Sequence, residues 1–210
     1  MPSSPLQRAA TPAGLLVAVG GVLYSVLFVV AVKSGSSAAA LASWLVLLVV
    51  ALVSSAVLVV VFEHVREVDP PTSLLALAFA VAGAYGTLAH AGYALASEKN
   101  RTGDVASQVD PRGLATFGLT GLALLLFAVV IRRAAALPSG LGTLGLVFGV
   151  LLVLTYLGRL LLVDPNNLAL LGIAAITGLV VHPWWWAWLG LSLRRASDPV
   201  AANAAHPAMR

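Results

Sequence analysis

The sequence predicts an all-α protein, a polytopic membrane helix bundle with six transmembrane helices in a single domain. Of the 210 residues, 60% are hydrophobic and only 10% are charged, whereas soluble domains carry about 25% charged residues. The mean hydropathy is +0.98. The apolar stretches also lack the period-two alternation of barrel strands, so we expect them to be helices.

Six stretches are long enough to cross a membrane, since a helix needs about 20 apolar residues to span a hydrocarbon core about 30 Å thick. Short segments rich in glycine, proline and charge separate them, and short disordered tails flank the bundle. The predicted spans are 13–32, 41–62, 73–96, 114–131, 141–163 and 168–192.

The first span is also compatible with a signal peptide. Arg8 precedes the apolar stretch, and the alanines at 38–40 resemble a cleavage site. We expect an uncleaved anchor, because the apolar stretch is long for a signal sequence and five further spans follow it.

The distribution of basic residues predicts the orientation. With six spans both termini share one side, which holds seven of the 12 lysines and arginines. Two arginine pairs, at 132–133 and 194–195, contribute most of this bias. Because cytoplasmic segments carry the excess of positive charge, the protein is predicted to lie in the cell (plasma) membrane with both termini in the cytoplasm.

The last span has an unusual composition. Pro183 removes one helical hydrogen bond and crowds the carbonyl of Leu179, so we expect the helix to kink or loosen there. His182 lies beside that carbonyl, either satisfying loosened backbone or acting in proton transfer or ligand binding. Tryptophan favours the headgroup boundary, which predicts a membrane anchor from four residues: Trp184, Trp185, Trp186 and Trp188.

The same segment resembles the end of the last helix in uncharacterised six-span bacterial integral membrane proteins. The resemblance also covers the number of helices and the length, and it implies no activity and no catalytic residues. Its matching positions are Pro183, Trp185 or Trp186, Trp188, Leu189, Gly190, Leu193 and the arginine pair 194–195.

Small residues at spacings of three and four let membrane helices approach closely. Span three carries such a stripe, which continues into His90 and Tyr93, and the stripe of span five continues into Tyr156 and Arg159. If the two stripes face each other, the four larger side chains hold the helices apart in the outer half. The sequence therefore predicts an outer-half pocket between helices three and five. Thr116 and Thr120 of span four complete its wall, and His182 is a secondary candidate.

Each of these residues also has a structural interpretation. Arg159 lies near the end of its span and can extend to the outer headgroups. Tyr93 and Tyr156 are typical of boundary aromatics, and His90 can make a structural hydrogen bond. An inward Arg159 would need a counter-charge from a boundary carboxylate or from an anionic ligand.

Several kinds of site are not predicted. Glu63, His64 and Glu67 share a helix turn, but the segment is polar and contains Arg66, so we expect a solvated helix end and no metal. A haem cofactor is disfavoured because His90 and His182 differ in predicted depth by about 10 Å. The arginines flank the spans and suit anionic lipid, so the basic balance does not indicate nucleic acid.

The sequence therefore favours a non-enzymatic protein. We expect the predicted pocket to bind a small or lipid-like ligand, or the bundle to pack as an accessory subunit against another membrane protein, with membrane lipids as partners. A small transporter or permease is the alternative, although no span has an obvious broken middle or a central carboxylate. A membrane enzyme using His90 with Tyr93 or Tyr156 near lipid headgroups is the second alternative.

Overall fold

The computed structural model describes residues 4–100, 111–162 and 167–196. Their regular structure is entirely helical. The helices are α1 (Pro5–Ser34), α2 (Ser37–Val65), α3 (Pro70–Asn100), α4 (Pro111–Ile131), α5 (Ser139–Leu162), α6 (Leu168–Ile176), a π-helical turn (Thr177–Val181) and α7 (His182–Ala196).

These helices confirm the predicted all-α bundle. Among the described residues, five continuous helical segments are long and apolar enough to cross a membrane, and the last of them joins α6, the π-helical turn and α7. Within the part of α4 whose side chains are described, Thr116–Ile131 forms a further apolar helix. The protein is a multi-pass membrane protein by the length and composition of its helices.

Helix ends follow local sequence signals. Ser4 caps α1 by accepting a hydrogen bond from the N–H of Gln7, whose side chain accepts one from the N–H of Ser4 in return. Gly35 ends α1 in the left-handed conformation, with a φ of 65°. Only Gly35 and Ser36 then separate α1 from α2. Such a short connection requires these helices to pack antiparallel.

The helices form a closed ring in chain order. Each of α1 to α4 packs against the next helix, and α7 returns to pack against α1. The last segment also contacts α5, less extensively. The chain therefore begins and ends on adjacent helices, and the end of the bundle where α1 starts and α7 finishes is called the terminal face below.

Helices α3 and α5 are not neighbours, so the prediction that their small-residue stripes face each other is wrong. Among the described residues, α4 packs extensively on both helices and separates them. A Cβ on Gly83 of α3 would lie 3.1 Å from the backbone nitrogen of Thr120 on α4. A Cβ on Gly149 of α5 would lie 2.8 Å from the carbonyl oxygen of Gly121, also on α4. Both stripes are used, but each faces α4.

The main apolar core lies in the half of the bundle near the terminal face. It includes Val17 of α1, Val61 of α2, Phe127 of α4 and Leu189 of α7, all fully buried. A smaller cluster around Trp44 joins α1, α2 and α3 in the opposite half.

The last span changes from α-helical to π-helical geometry in its middle. The π-helical turn ends directly before His182 and Pro183, and the N–H of His182 donates to the carbonyl of Thr177, five residues earlier. The proline ring needs extra space beside the carbonyl of the preceding turn, and a wider turn supplies it. The loosening predicted from Pro183 is confirmed, and it takes the form of a π-helical turn within a continuous helix.

The tryptophans of this span do not act together as a lipid anchor. Trp184 is 60% exposed, but Trp185 and Trp186 are only 1% and 3% exposed and belong to the core. Trp188 is partly buried against the position of Gly140. Successive residues of a helix point in different directions, so one side of the segment meets lipid and the other fills the bundle.

Candidate functional site

The six primary candidates lie on three different helix surfaces. Thr116 packs its methyl group against Gly86, where an added Cβ would approach that methyl to 2.9 Å. The hydroxyl of Thr120 would lie 2.6 Å from a Cβ on Gly83. The two threonines therefore fill the α3–α4 interface and do not form the wall of a pocket between α3 and α5.

Tyr156 and Arg159 lie on α5. The ring of Tyr156 covers Gly118 of α4, where an added Cβ would approach a ring carbon to 2.8 Å. Arg159 is 7% exposed and is therefore enclosed by protein. The interpretation in which Arg159 extends to the outer headgroups is wrong, because such a guanidinium would remain exposed.

His90 faces α2. Its ring meets the ring of Trp44 edge to face, with centroids 5.5 Å apart. Tyr93 packs against the same small cluster. The predicted set thus divides into three groups: His90 and Tyr93 in the α1–α2–α3 cluster, the two threonines in the α3–α4 interface, and Tyr156 in the α4–α5 interface. The structure does not join these groups into the predicted pocket between α3 and α5.

His182 occupies a different kind of place. It lies midway between Leu168 and Ala196, the ends of the last span. Its ring covers Gly21 of α1, where any Cβ would overlap the imidazole, and it meets Phe148 of α5 at a centroid distance of 5.7 Å. Since α1 and α5 flank the last span, a side chain that contacts both points into the bundle.

Glycine and proline together create the space for this imidazole. Gly21 has no side chain, so the ring lies directly against the backbone of α1. Gly178, in the π-helical turn, allows Ser25 of α1 to approach, with the Ser25 hydroxyl 2.9 Å from the position of an added Cβ. The last span therefore lies close to α1 both within the π-helical turn and directly after it.

Aromatic rings form the remaining surroundings of His182. The Trp186 ring lies 6.2 Å from the imidazole, and Trp185 lies 5.9 Å from Phe148 and 5.0 Å from Trp186, between ring centroids. The indole N–H of Trp185 donates to the carbonyl of Leu141 at 3.2 Å, which fixes this ring on α5. A polar imidazole is thus held among apolar rings.

The Nδ1 atom of His182 is buried and has no hydrogen-bond partner among the residues that the structure describes. The residue as a whole is partly buried. A buried polar group without a partner costs about 1–3 kcal/mol. Intramembrane ionisable residues and π-helical turns each mark functional sites more often than other positions.

The chemistry available here is binding through one polar group. The sequence of the last span contains no aspartate or glutamate near His182. Among the described residues, no group of three histidine, aspartate or glutamate side chains could hold a metal ion. His64 lies apart, at the end of α2, where its Nδ1 is 2.8 Å from the carbonyl of Val60.

Sequence reasoning missed the α1 side of this site. Gly14, Ala18, Gly21 and Ser25 follow each other at steps of four, three and four, the same spacing that was noted in spans three and five. The first three are buried, and Gly14 and Gly190 meet so closely that a Cβ on Gly14 would lie 2.9 Å from the Cα of Gly190. The stripe in span one was the available signal for packing against the last span.

Comparison of the chain with protein-family models, with curated proteins and with solved structures gave no significant match. The resemblance to six-span bacterial membrane proteins therefore stays a prediction.

Proposed function

We propose that this membrane protein binds a small, lipid-soluble ligand inside the bundle, at His182, without catalysing a reaction on it. The single observation that carries the proposal is the buried Nδ1 of His182 in the middle of the last span, which has no hydrogen-bond partner in the described part of the chain. A ligand that donates or accepts one hydrogen bond would offset the desolvation of this atom.

The surroundings define the ligand's chemistry. Phe148 and Trp186 pack around the imidazole and make its surroundings apolar, so a charged ligand would lose its hydration without gaining a counter-charge. We therefore expect an uncharged molecule with one hydrogen-bonding group. Rotation of the imidazole about its Cβ–Cγ bond would turn Nδ1 toward such a molecule.

Native mass spectrometry of protein extracted in mild detergent tests this proposal. We expect the wild type to retain a small molecule that His182→Phe loses, because phenylalanine fills the same space without a hydrogen-bonding atom. The control is Trp184→Phe, which changes an exposed ring two residues away and should keep the molecule. Equal retention in all three proteins, or none in the wild type, would contradict the proposal.

A transporter is the second candidate, and the irregular turn in the last span favours it. Transporters commonly bind substrate where a helix departs from regular geometry near the middle of the membrane, and here a π-helical turn directly precedes His182 and Pro183. A cysteine at Gly178 separates the two functions. Labelling by a membrane-impermeant thiol reagent from both faces supports transport, whereas labelling from one face or neither supports binding alone.

An accessory subunit remains the alternative form of the non-enzymatic proposal. In the same mass spectra it would appear as a second protein chain retained by the wild type and by His182→Phe alike. That result would assign the function to the outer surface of the bundle and not to His182.

The terminal face is proposed to be cytoplasmic, in the plasma membrane, from the bias of the basic residues. The chain contains no cysteine, so single cysteines report accessibility without background. Ser4→Cys and Ser139→Cys should label only from the cytoplasmic side, and Ser36→Cys only from the other side. The reverse pattern would invert the orientation.

A further inference from the structure

A second feature, independent of the His182 site, lies at the terminal face where α1 meets α7. The hydroxyl of Thr11 donates to the carbonyl of Gly190 at 2.9 Å, and Gly14 touches Gly190 as well. These contacts fix how the two antiparallel helices align along their length.

This alignment brings three arginines to one level. Arg8 lies in the first turn of α1, about one turn before Thr11, and Arg194 lies in the last turn of α7, about one turn beyond Gly190. Both arginines are therefore at the end of the bundle. Arg195 follows directly, and all three are exposed. We call Arg8, Arg194 and Arg195 the arginine corner.

The arginine corner differs from two other basic positions of this face, Arg66 and Arg133. Arg66 pairs with Glu63 at 3.4 Å, and Arg133 with Asp69 at 3.8 Å. In the part of the chain that the structure describes, no carboxylate lies within ion-pair distance of the corner. Asp198, outside that part, would still leave three arginines against one carboxylate, a net charge of +2.

Apolar side chains lie on the membrane side of this charge. Leu15 of α1 and Leu191 of α7 are 39% and 45% exposed, next to the Gly14–Gly190 contact. An exposed leucine on each helix beneath unpaired guanidinium groups matches a molecule with an anionic head and apolar chains. Free phosphate would satisfy only the first of these two features.

We propose that the arginine corner binds the headgroup of an anionic phospholipid, whose acyl chains lie along Leu15 and Leu191. Guanidinium groups bind phosphate oxygens through paired N–H donors. Basic residues at a membrane surface each contribute enough attraction for roughly a fivefold change in binding.

The test measures lipid retention by the full chain in nanodiscs that contain equal amounts of phosphatidylglycerol and phosphatidylcholine. Native mass spectrometry should show an excess of bound phosphatidylglycerol for the wild type. In Arg194→Gln/Arg195→Gln we expect that excess to fall at least about tenfold. The matched control, Arg66→Gln/Arg133→Gln, removes the same charge from paired positions and should stay within about twofold of the wild type.

Three outcomes would overturn the proposal. An equal fall in both double variants would show that only net charge matters, and no fall in either would show that the corner binds no lipid. Thermal unfolding in phosphatidylcholine alone should be the same for all three proteins, which establishes that the variants fold. Stabilisation of the wild type by inorganic phosphate as strong as that by phosphatidylglycerol would show an anion site without the acyl-chain contacts.

Discussion

The position of His182 depends on two groups that its neighbouring residues do not have. Gly21 lacks a side chain and leaves space for the imidazole, and Pro183 lacks the N–H that would continue the helical hydrogen bonds. Nδ1 is buried and has no hydrogen-bond partner among the described residues. The missing side chain of Gly21 and the missing N–H of Pro183 therefore determine where the imidazole lies.

Gly21→Ala should displace the imidazole, because the added methyl group would overlap the ring. Overpacking of this kind costs about 1–3 kcal/mol, so we expect a lower Tm and loss of the retained molecule. The control is Gly172→Ala, where nothing lies within 4 Å of the added Cβ and alanine favours the helix by up to about 1 kcal/mol. Equal Tm values for the two variants would count against the packing of His182 on Gly21.

The sequence identified His182 and its proline but ranked other residues above them. Periodicity correctly placed Gly83 and Gly86 of α3 on a packed surface. It could not show that this surface meets Thr116 and Thr120 and not α5, because a stripe of small residues fits any close-packed helix. The sequence also could not predict that Arg159 is buried, since an arginine near the end of a span can extend toward the headgroups or into the bundle.

At the scale of helices, the last span consists of two α-helical halves joined by a wider turn. The sequence predicted loosening from Pro183, because the clash with the carbonyl four residues earlier is local. It did not predict a π-helical turn over Thr177–Val181. A kink and a missing hydrogen bond were equally compatible with the sequence, because the packing of the neighbouring helices decides which backbone geometry forms.

Pro183→Ala should restore a regular helix, since alanine supplies an N–H for the carbonyl of Leu179. We expect slower amide hydrogen exchange over residues 177–182 than in the wild type, measured by mass spectrometry. Pro70→Ala is the control, because Pro70 begins α3, where a proline removes no helical hydrogen bond. Exchange that is unchanged in Pro183→Ala would show that packing, and not the proline, maintains the turn.

At the scale of the whole molecule, the packing of α7 against α1 closes the helix bundle. The all-α bundle could be predicted, because the membrane sets the length of each span; among the described residues, five segments are long and apolar enough to be spans. The arrangement of neighbours could not be predicted in full. Lipid is as apolar as the side chains, so hydrophobicity does not distinguish a helix-facing surface from a lipid-facing one.

The two sides of the last span should differ in their contact with lipid. In bilayers of brominated phospholipids, which quench tryptophan fluorescence on contact, Trp184→Phe should remove a large part of the quenchable signal. Trp185→Phe should remove little of it, since Trp184 is 60% exposed and Trp185 only 1%. Equal losses would mean that the segment is rotated relative to the bundle.

The central claim is that the last span, with its π-helical turn, packs on α1 and directs His182 into the bundle. Disulfide cross-linking tests this claim in a chain that has no native cysteine. The Cβ of Ser25 lies 3.9 Å from the position of a Cβ on Gly178, within the range for a disulfide. We predict that Ser25→Cys/Gly178→Cys cross-links readily under mild oxidation, whereas Gly83→Cys/Gly149→Cys, which joins α3 to α5, does not. Efficient cross-linking of the second pair and none of the first would contradict the arrangement of helices and the site that depends on it.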